Sequence, residues 1–149
     1  MKVIRPRTSG VLLAVVLLAA LLAGCGGSNN SSSSASSIVG VLWAWNGLQE
    51  THPAHLSTVP DPQNYLLLLN KDGSFEAKAD CNQLSGSYKL SGASLTLAPG
   101  PMTRAQCAPD SLSDQYVHLL TQVATQTVED GQLTLGLMNG AGSMFFHGG

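Results

Sequence analysis

Thirteen apolar residues in an unbroken run, Val11 to Ala23, lead into Gly24-Cys25 and so decide how much of the 149-residue chain is left to build a fold. A helix spanning a bilayer needs about 20 such residues, so this run is short for a span but matches the hydrophobic part of a secretory signal peptide. Lys2, Arg5 and Arg7 precede it with no acid among them, and small residues follow it, which is the processing order of such a signal. The chain therefore divides into a signal peptide over 1–24, a linking segment over 25–37 and a folded part over 38–149. That last part has room for one hydrophobic core.

Leu22-Ala23-Gly24-Cys25 resembles the bacterial lipobox. The resemblance implies that the Cys25 thiol takes a diacylglycerol, that cleavage falls just before it, and that the new amino terminus is acylated in turn. Two or three acyl chains anchor stably where one is marginal, because each buried CH₂ contributes roughly 0.8 kcal/mol. The plainer readings are an ordinary cleaved signal, or an uncleaved membrane helix beside an incidental cysteine. Residues 26–37, GGSNNSSSSASS, carry no charge and almost nothing to bury, the composition of a flexible tether with a reach of roughly 17–20 Å. Gly26 stands where aspartate would retain a lipoprotein at the inner membrane. In a cell with two membranes this favours the periplasmic side of the outer one.

Loss of residues 1–24 removes three of seven basic residues and none of nine acids, leaving four against nine, a net charge of −5 with histidines neutral. No basic field remains to attract a phosphate backbone, so nucleic acid is excluded as a natural partner. The expected contacts are membrane lipid through the acylated Cys25, and an envelope protein.

Assigning Cys25 to lipid leaves Cys81 and Cys107 as an even pair in an oxidising compartment, where disulfides persist. Bridging them would take about 3–4 kcal/mol from the unfolded state by the chain-entropy estimate. The alternatives are two unpaired thiols, or Cys81 as a nucleophile with His118 as its base. Neither cysteine belongs to a closely spaced cluster, so no metal site is read from them.

From Ile38 onward the dominant period is two. Ile38 to Trp45 reads as a first strand, with Trp43 and Trp45 on one face as core or, alternatively, as an aromatic platform. Residues 46–63 hold three prolines and no sustained period, so they read as the longest loop and the best place to look for ligand contact. His52 and His55 lie there as HxxH, but Pro53 between them argues against a helix, and a third metal ligand is missing nearby. Tyr65 to Leu69 is apolar on both faces and reads as a central strand, with a turn at 70–73. Phe75, Ala77, Ala79 and Cys81 then alternate with Glu76, Lys78 and Asp80, which places Cys81 on the inward face.

Tyr88 to Leu97 reads as a hairpin, and 98–109 as a proline-punctuated connection. Ser111 with Asp114 three residues later opens a helix expected over about 111–124. Leu112, Tyr116, Leu119, Leu120 and Val123 form its apolar stripe, and His118 lies on its wet side. Strands at 133–137 and 144–146 follow, with 125–128 a strand or connector. The fold class is α+β, a small antiparallel β roll or partly open barrel with one packed helix.

Several of these residues are similar to a known family. Asp72-Gly73, Asp80-Cys81-Asn82, Ser85-Gly86-Ser87-Tyr88, Leu95 and Met102-Thr103-Arg104-Ala105-Gln106-Cys107, with the early Trp45, resemble the META domain of the HslJ type over roughly 38–147. The resemblance implies a small β-rich domain of secreted and envelope proteins, with heat-shock, antibiotic-tolerance or motility associations in some members and no accepted enzyme activity or cofactor. It marks Asp80, Asn82, Gly86, Tyr88, Thr103 and Arg104 as motif positions with structural roles. Asn82 can cap a turn and Gly86 can take a positive φ. Arg104 can pair with Asp80 or with carbonyls near the cysteines; the alternative is an anionic ligand.

The function expected is that of a non-catalytic protein-binding or structural module, perched on a lipid anchor. A small-ligand module using the interior or mouth of the roll is the alternative. An enzyme has the least support, because no G-x-S-x-G, H-E-x-x-H or phosphate-binding glycine loop is present.

Overall fold

A computed structural model describes residues 38–149. The expected signal peptide over 1–24, Cys25 and the expected tether over 26–37 lie outside the described residues.

Nine strands and one helix follow in chain order. They are β1 (Leu42–Thr51), β2 (Ala54–Thr58), β3 (Tyr65–Leu69), β4 (Ser74–Ala79), β5 (Asn82–Ser91), β6 (Ser94–Met102), α1 (Ser113–Leu120), β7 (Val123–Glu129), β8 (Gln132–Leu137) and β9 (Gly142–Gly148). All strand pairings are antiparallel, and the order β1-β3-β4-β5-β6-β7-β8-β9 returns to β1, so eight strands close a barrel. The expected roll or partly open barrel is thus present in its closed form, with β2 as a ninth strand outside the ring.

β1 extends six residues past the expected end of the first strand at Trp45. A bulge between Trp45 and Gly47 bends it, so that residues 42–44 pair with β3 and residues 47–51 pair with β2 on the same edge, while β9 runs along the other. The region read as one long loop is therefore largely a hairpin, turning at Thr51-His52-Pro53-Ala54 with a cis His52–Pro53 bond. Its strands leave no periodic mark in the sequence, because Ala54 to Leu56 are exposed and no buried alternation runs through them.

The seam between β6 and β7 is the thinnest, a single pair at Ser94 and Thr125. Gln126 holds it: its backbone N–H donates to the Ala93 carbonyl at 2.8 Å and its side-chain Nε2 to the Gly92 carbonyl at 3.0 Å. Beyond that point the outer edge of β6 is free, and Pro99 and Pro101 lie in it. Proline has no N–H to lose there, which is why the stretch can be strand rather than the expected connection.

Side chains fill the barrel. Trp43 and Trp45 are 2% and 1% exposed, and their indole N–H groups donate to the carbonyls of Ile38 at 3.0 Å and Gly47 at 2.8 Å. They are core, not a platform. α1 caps one mouth, sending Tyr116 inward to stack on Trp45 at 5.2 Å between ring centres, with Tyr65 edge-on at 5.6 Å from each.

The helix is shorter than expected, because Val123 already belongs to β7. Its start is Leu112, whose N–H donates to the Tyr65 hydroxyl at 2.8 Å, while Ser111 accepts from the Ser113 N–H at 3.2 Å. A tertiary partner thus does what the Ser111–Asp114 capping box was expected to do. His118 is exposed as expected, its Nε2 2.7 Å from the Gln122 amide.

Gly86 does not adopt positive φ, contrary to expectation. It lies in β5 where a Cβ would run into the Ala98 carbonyl oxygen and the Phe75 ring, so closeness is what requires glycine. Gly86→Ala should lower the unfolding free energy by about 1–3 kcal/mol, the usual cost of overpacking. Denaturant titration would check it.

Two buried tyrosines make opposite predictions. The Tyr116 hydroxyl is buried and has no hydrogen-bond partner among the described residues, and burial pushes its pKa upward. Tyr116→Phe should leave stability unchanged or raise it by about 1 kcal/mol. Because the folded state resists ionising this phenol, its contribution is complete below an unfolded pKa of about 10 and is lost as pH rises beyond it. The variant should therefore lose less stability above that pH. Tyr65→Phe removes the acceptor for the Leu112 N–H and should cost about 1–2 kcal/mol, measurable by denaturant titration.

Candidate functional site

The strands run between two poles. Ile38 to Leu42, the 70–73 turn and Gly149 share one, where the Gly149 N–H donates to the Leu42 carbonyl at 3.0 Å. The β1–β2 turn, the short 3₁₀ turn Pro62–Asn64, the β4–β5 turn and the segment entering α1 share the other. The Asp80 N–H donates to the Asn64 carbonyl at 2.7 Å, tying two of these pieces together.

At this second pole the parts enclose a cleft of about 580 Å³. Glu50, Asp61, Asp80 and Asp110 supply carboxylates to its walls, His55 is the one histidine, and no lysine or arginine lines it. Trp45 and Tyr65 close its floor. Glu50 and His55 are direct cross-strand neighbours in β1 and β2, and Ser57 shares their face. The Ser57 hydroxyl donates to the Leu48 carbonyl at 3.5 Å, and among the described residues no hydrogen bond joins it to His55. A serine held so is not activated as a nucleophile. His52 sits exposed in the hairpin turn, apart from this lining, and no group of three or more metal-ligating side chains occurs among the described residues.

Two of the motif residues, Asn82 and Thr103, form a neighbouring structural joint with the two cysteines. The alternation of β4 ends at Ala79, since Asp80 and Cys81 are the two turn residues before β5, and Asp80 takes a φ of 57°. Cys81 is consequently exposed rather than inward, and Asn82 is the buried residue, at 5% exposure. Cys81 and Cys107 form a disulfide with Cα atoms 5.4 Å apart, as expected of the pair. Asn82 binds the same segment through its amide: Oδ1 accepts from the Ala105 N–H at 2.8 Å and the Thr103 hydroxyl at 3.1 Å, and Nδ2 donates to the Ala105 carbonyl at 3.1 Å. Thr103 also accepts the Gln83 N–H at 2.9 Å.

Tyr88 lies farther along β5, donating its hydroxyl to the Asn70 carbonyl at 2.7 Å, so it braces the opposite pole. Burial, with Asp72 nearby, pushes its pKa up. Arg104 is exposed, and among the described residues its guanidinium has no hydrogen bond or ion pair, so the expected pairing with Asp80 or nearby carbonyls is absent. Asp80 instead reaches the cleft.

A second concavity of about 600 Å³ lies on the outer face of β3 to β6, where Leu66, Leu68 and Leu42 line a groove with Met102. No helix among the described residues is long and apolar enough to cross a membrane.

Asn82→Ala should release the 103–107 segment and cost about 2–3 kcal/mol, because the Ala105 N–H loses its acceptor. Hydrogen exchange should speed up at Thr103 and Ala105 before the rest of the barrel.

Comparison with known proteins places this architecture. A family model described as the META domain matches residues 39–147. The fold is similar to an NMR structure of a protein from Burkholderia xenovorans, with a TM-score of 0.62 and 23% identity over 77% of this chain and 86% of that one. It is also similar to a crystal structure of a DUF4847-family protein from Bacteroides vulgatus, with a TM-score of 0.53 and 10% identity over 75% and 94% of the two chains. A further NMR structure aligns at a TM-score of 0.52 with 20% identity over 76% and 93%. At these identities the likeness is one of fold. No curated protein matches the sequence.

Proposed function

This chain belongs to the META domain family, and on that premise we propose that it is a non-catalytic binding module of the cell envelope, held by lipid at Cys25 and meeting a protein partner with its cleft pole. One observation carries the reading. The barrel interior is filled by its own side chains, so recognition falls to the outside, and the cleft gathers its polar side chains from five separate stretches of chain at one pole. Buried tryptophans with bonded N–H groups weaken the alternative in which a ligand enters the barrel beside Trp43. The unactivated Ser57 gives no support to hydrolysis. A small ligand in the mouth remains a second reading, because about 580 Å³ falls within the roughly 300–1,000 Å³ of small-molecule clefts. A saturable change in Trp45 emission on adding such a ligand would favour it.

The anchor belongs to the same proposal. The mature protein would begin at an acylated Cys25, on the periplasmic side of the outer membrane where the cell has one, with residues 26–37 as its tether. Mass spectrometry of the purified mature protein should find the lipid on Cys25 and no trace of 1–24. Crosslinking in intact cells should capture a discrete envelope protein that disappears with Cys25→Ser. An acylated, correctly placed protein that enriches no partner would count against the binding role.

A further inference from the structure

β2 is the edge of the sheet, and its outer side has no partner among the described residues. Such an edge presents a row of free backbone N–H and C=O groups, and proteins ordinarily guard it with proline, lysine or a bulge. The molecule does guard its other free edge, with Pro99 and Pro101 in β6. β2 holds neither proline nor lysine, and its central Leu56 is 69% exposed, the most exposed large apolar side chain among the described residues. Its shortness, five residues, is the one protection it has.

The free edge opens beside the acidic cleft. β2 lies alongside the outer half of β1, on the edge that β3 occupies lower down, and the chain then crosses from Val59 to the 62–64 turn to begin β3. A strand added to β2 would therefore enter the space between β2 and the ridge carrying Asp61, Asp80 and Asp110. Along β2, His55 and Ser57 face the cleft and Leu56 faces the opposite side. An added strand must follow the same period of two.

We infer that β2 is a strand-addition site for an extended segment of a partner protein in which basic residues alternate with apolar ones. Backbone pairing to β2 supplies affinity without regard to sequence. Specificity comes from the alternating side chains: every second one faces the cleft, whose four carboxylates and absence of Lys or Arg select a positive charge, and those between pack on Leu56. An acidic segment would meet like charge and be rejected. The inference rests on the binding-module reading and names the chemistry of its partner.

The test uses the full-length protein in a non-ionic detergent and three labelled nine-residue peptides: alternating Lys–Val, alternating Glu–Val, and Lys–Val with two central prolines. Fluorescence anisotropy should show saturable binding of the first, at least tenfold tighter than either of the others. The double variant Asp61→Asn, Asp110→Asn should weaken it at least tenfold, and added salt should do the same. Because both side chains are exposed surface carboxylates, the variant should keep its fold, and its unfolding curve verifies this. The His55 and Ser57 amides already face β1, as Val59 does in donating to the Asn46 carbonyl, so hydrogen exchange should slow at the outward-facing Leu56 and Thr58 when the peptide binds. Equal affinity for the Lys–Val and Glu–Val peptides, binding that leaves the β2 amides unprotected, or no saturable binding would each overturn the inference. Cellular crosslinks that persist in any of those cases would leave the broader binding role standing and move its surface elsewhere.

Discussion

β9 closes the barrel by pairing along β1, and β1 changes its other partner halfway along its length. Before the bulge at Asn46 it is an ordinary ring member, bonded to β3 and β9; beyond it the strand keeps β9 and exchanges β3 for β2. Every later feature needs that bend. Without it β2 could not stand clear of the ring, the cleft would lack a wall, and Trp45 would lose the position in which Tyr116 stacks on it. The bend also costs something, since the Asn46 side-chain oxygen is buried there without a partner among the described residues. A β-bulge at a barrel rim commonly re-aims a strand in this way.

The helix end of the barrel shows a second dependence. α1 packs Tyr116, Leu119 and Leu120 into the core, and the aromatic group of Trp45, Tyr65, Tyr116 and Phe146 joins β1, β3, α1 and β9 into one body. Edge-on and offset ring pairs of this kind contribute about 0.5–1.5 kcal/mol each beyond their buried area. The disulfide and Asn82 then fix the long approach to the helix, so the covalent and hydrogen-bonded restraints act on one segment rather than being spread through the fold.

What could be read from the residues alone follows where burial leaves a periodic mark. β3, β4 and β8 alternate or run apolar because one face or both meet the core, and the turn at 70–73 announces itself through Asp72 and Gly73. β2 left no mark, since an exposed ladder has no face to distinguish. Pro99 and Pro101 misled because a proline rule for central strands does not hold at a free edge. The alternation of β4 points Cys81 inward only if it runs on past Ala79; the two-residue turn resets the count, and the positive φ of Asp80 is invisible in composition. Of the motif positions, Asn82 and Thr103 meet in the joint beside the disulfide, while the cleft carboxylates at 50, 61, 80 and 110 come together only through topology. The pointer to 46–63 reached one wall of the cleft and missed the others.

The placement of the two poles sets a geometry of its own. The chain enters by Ile38 and ends at Gly149 at the same pole, and β1 from Leu42 to Glu50 carries the structure about 26 Å toward the other. The cleft therefore lies at the pole opposite the one where residue 38 enters. A tag, a surface or a second domain joined at either terminus would leave the far end unobstructed. The barrel thus sets its own length between residue 38 and the cleft.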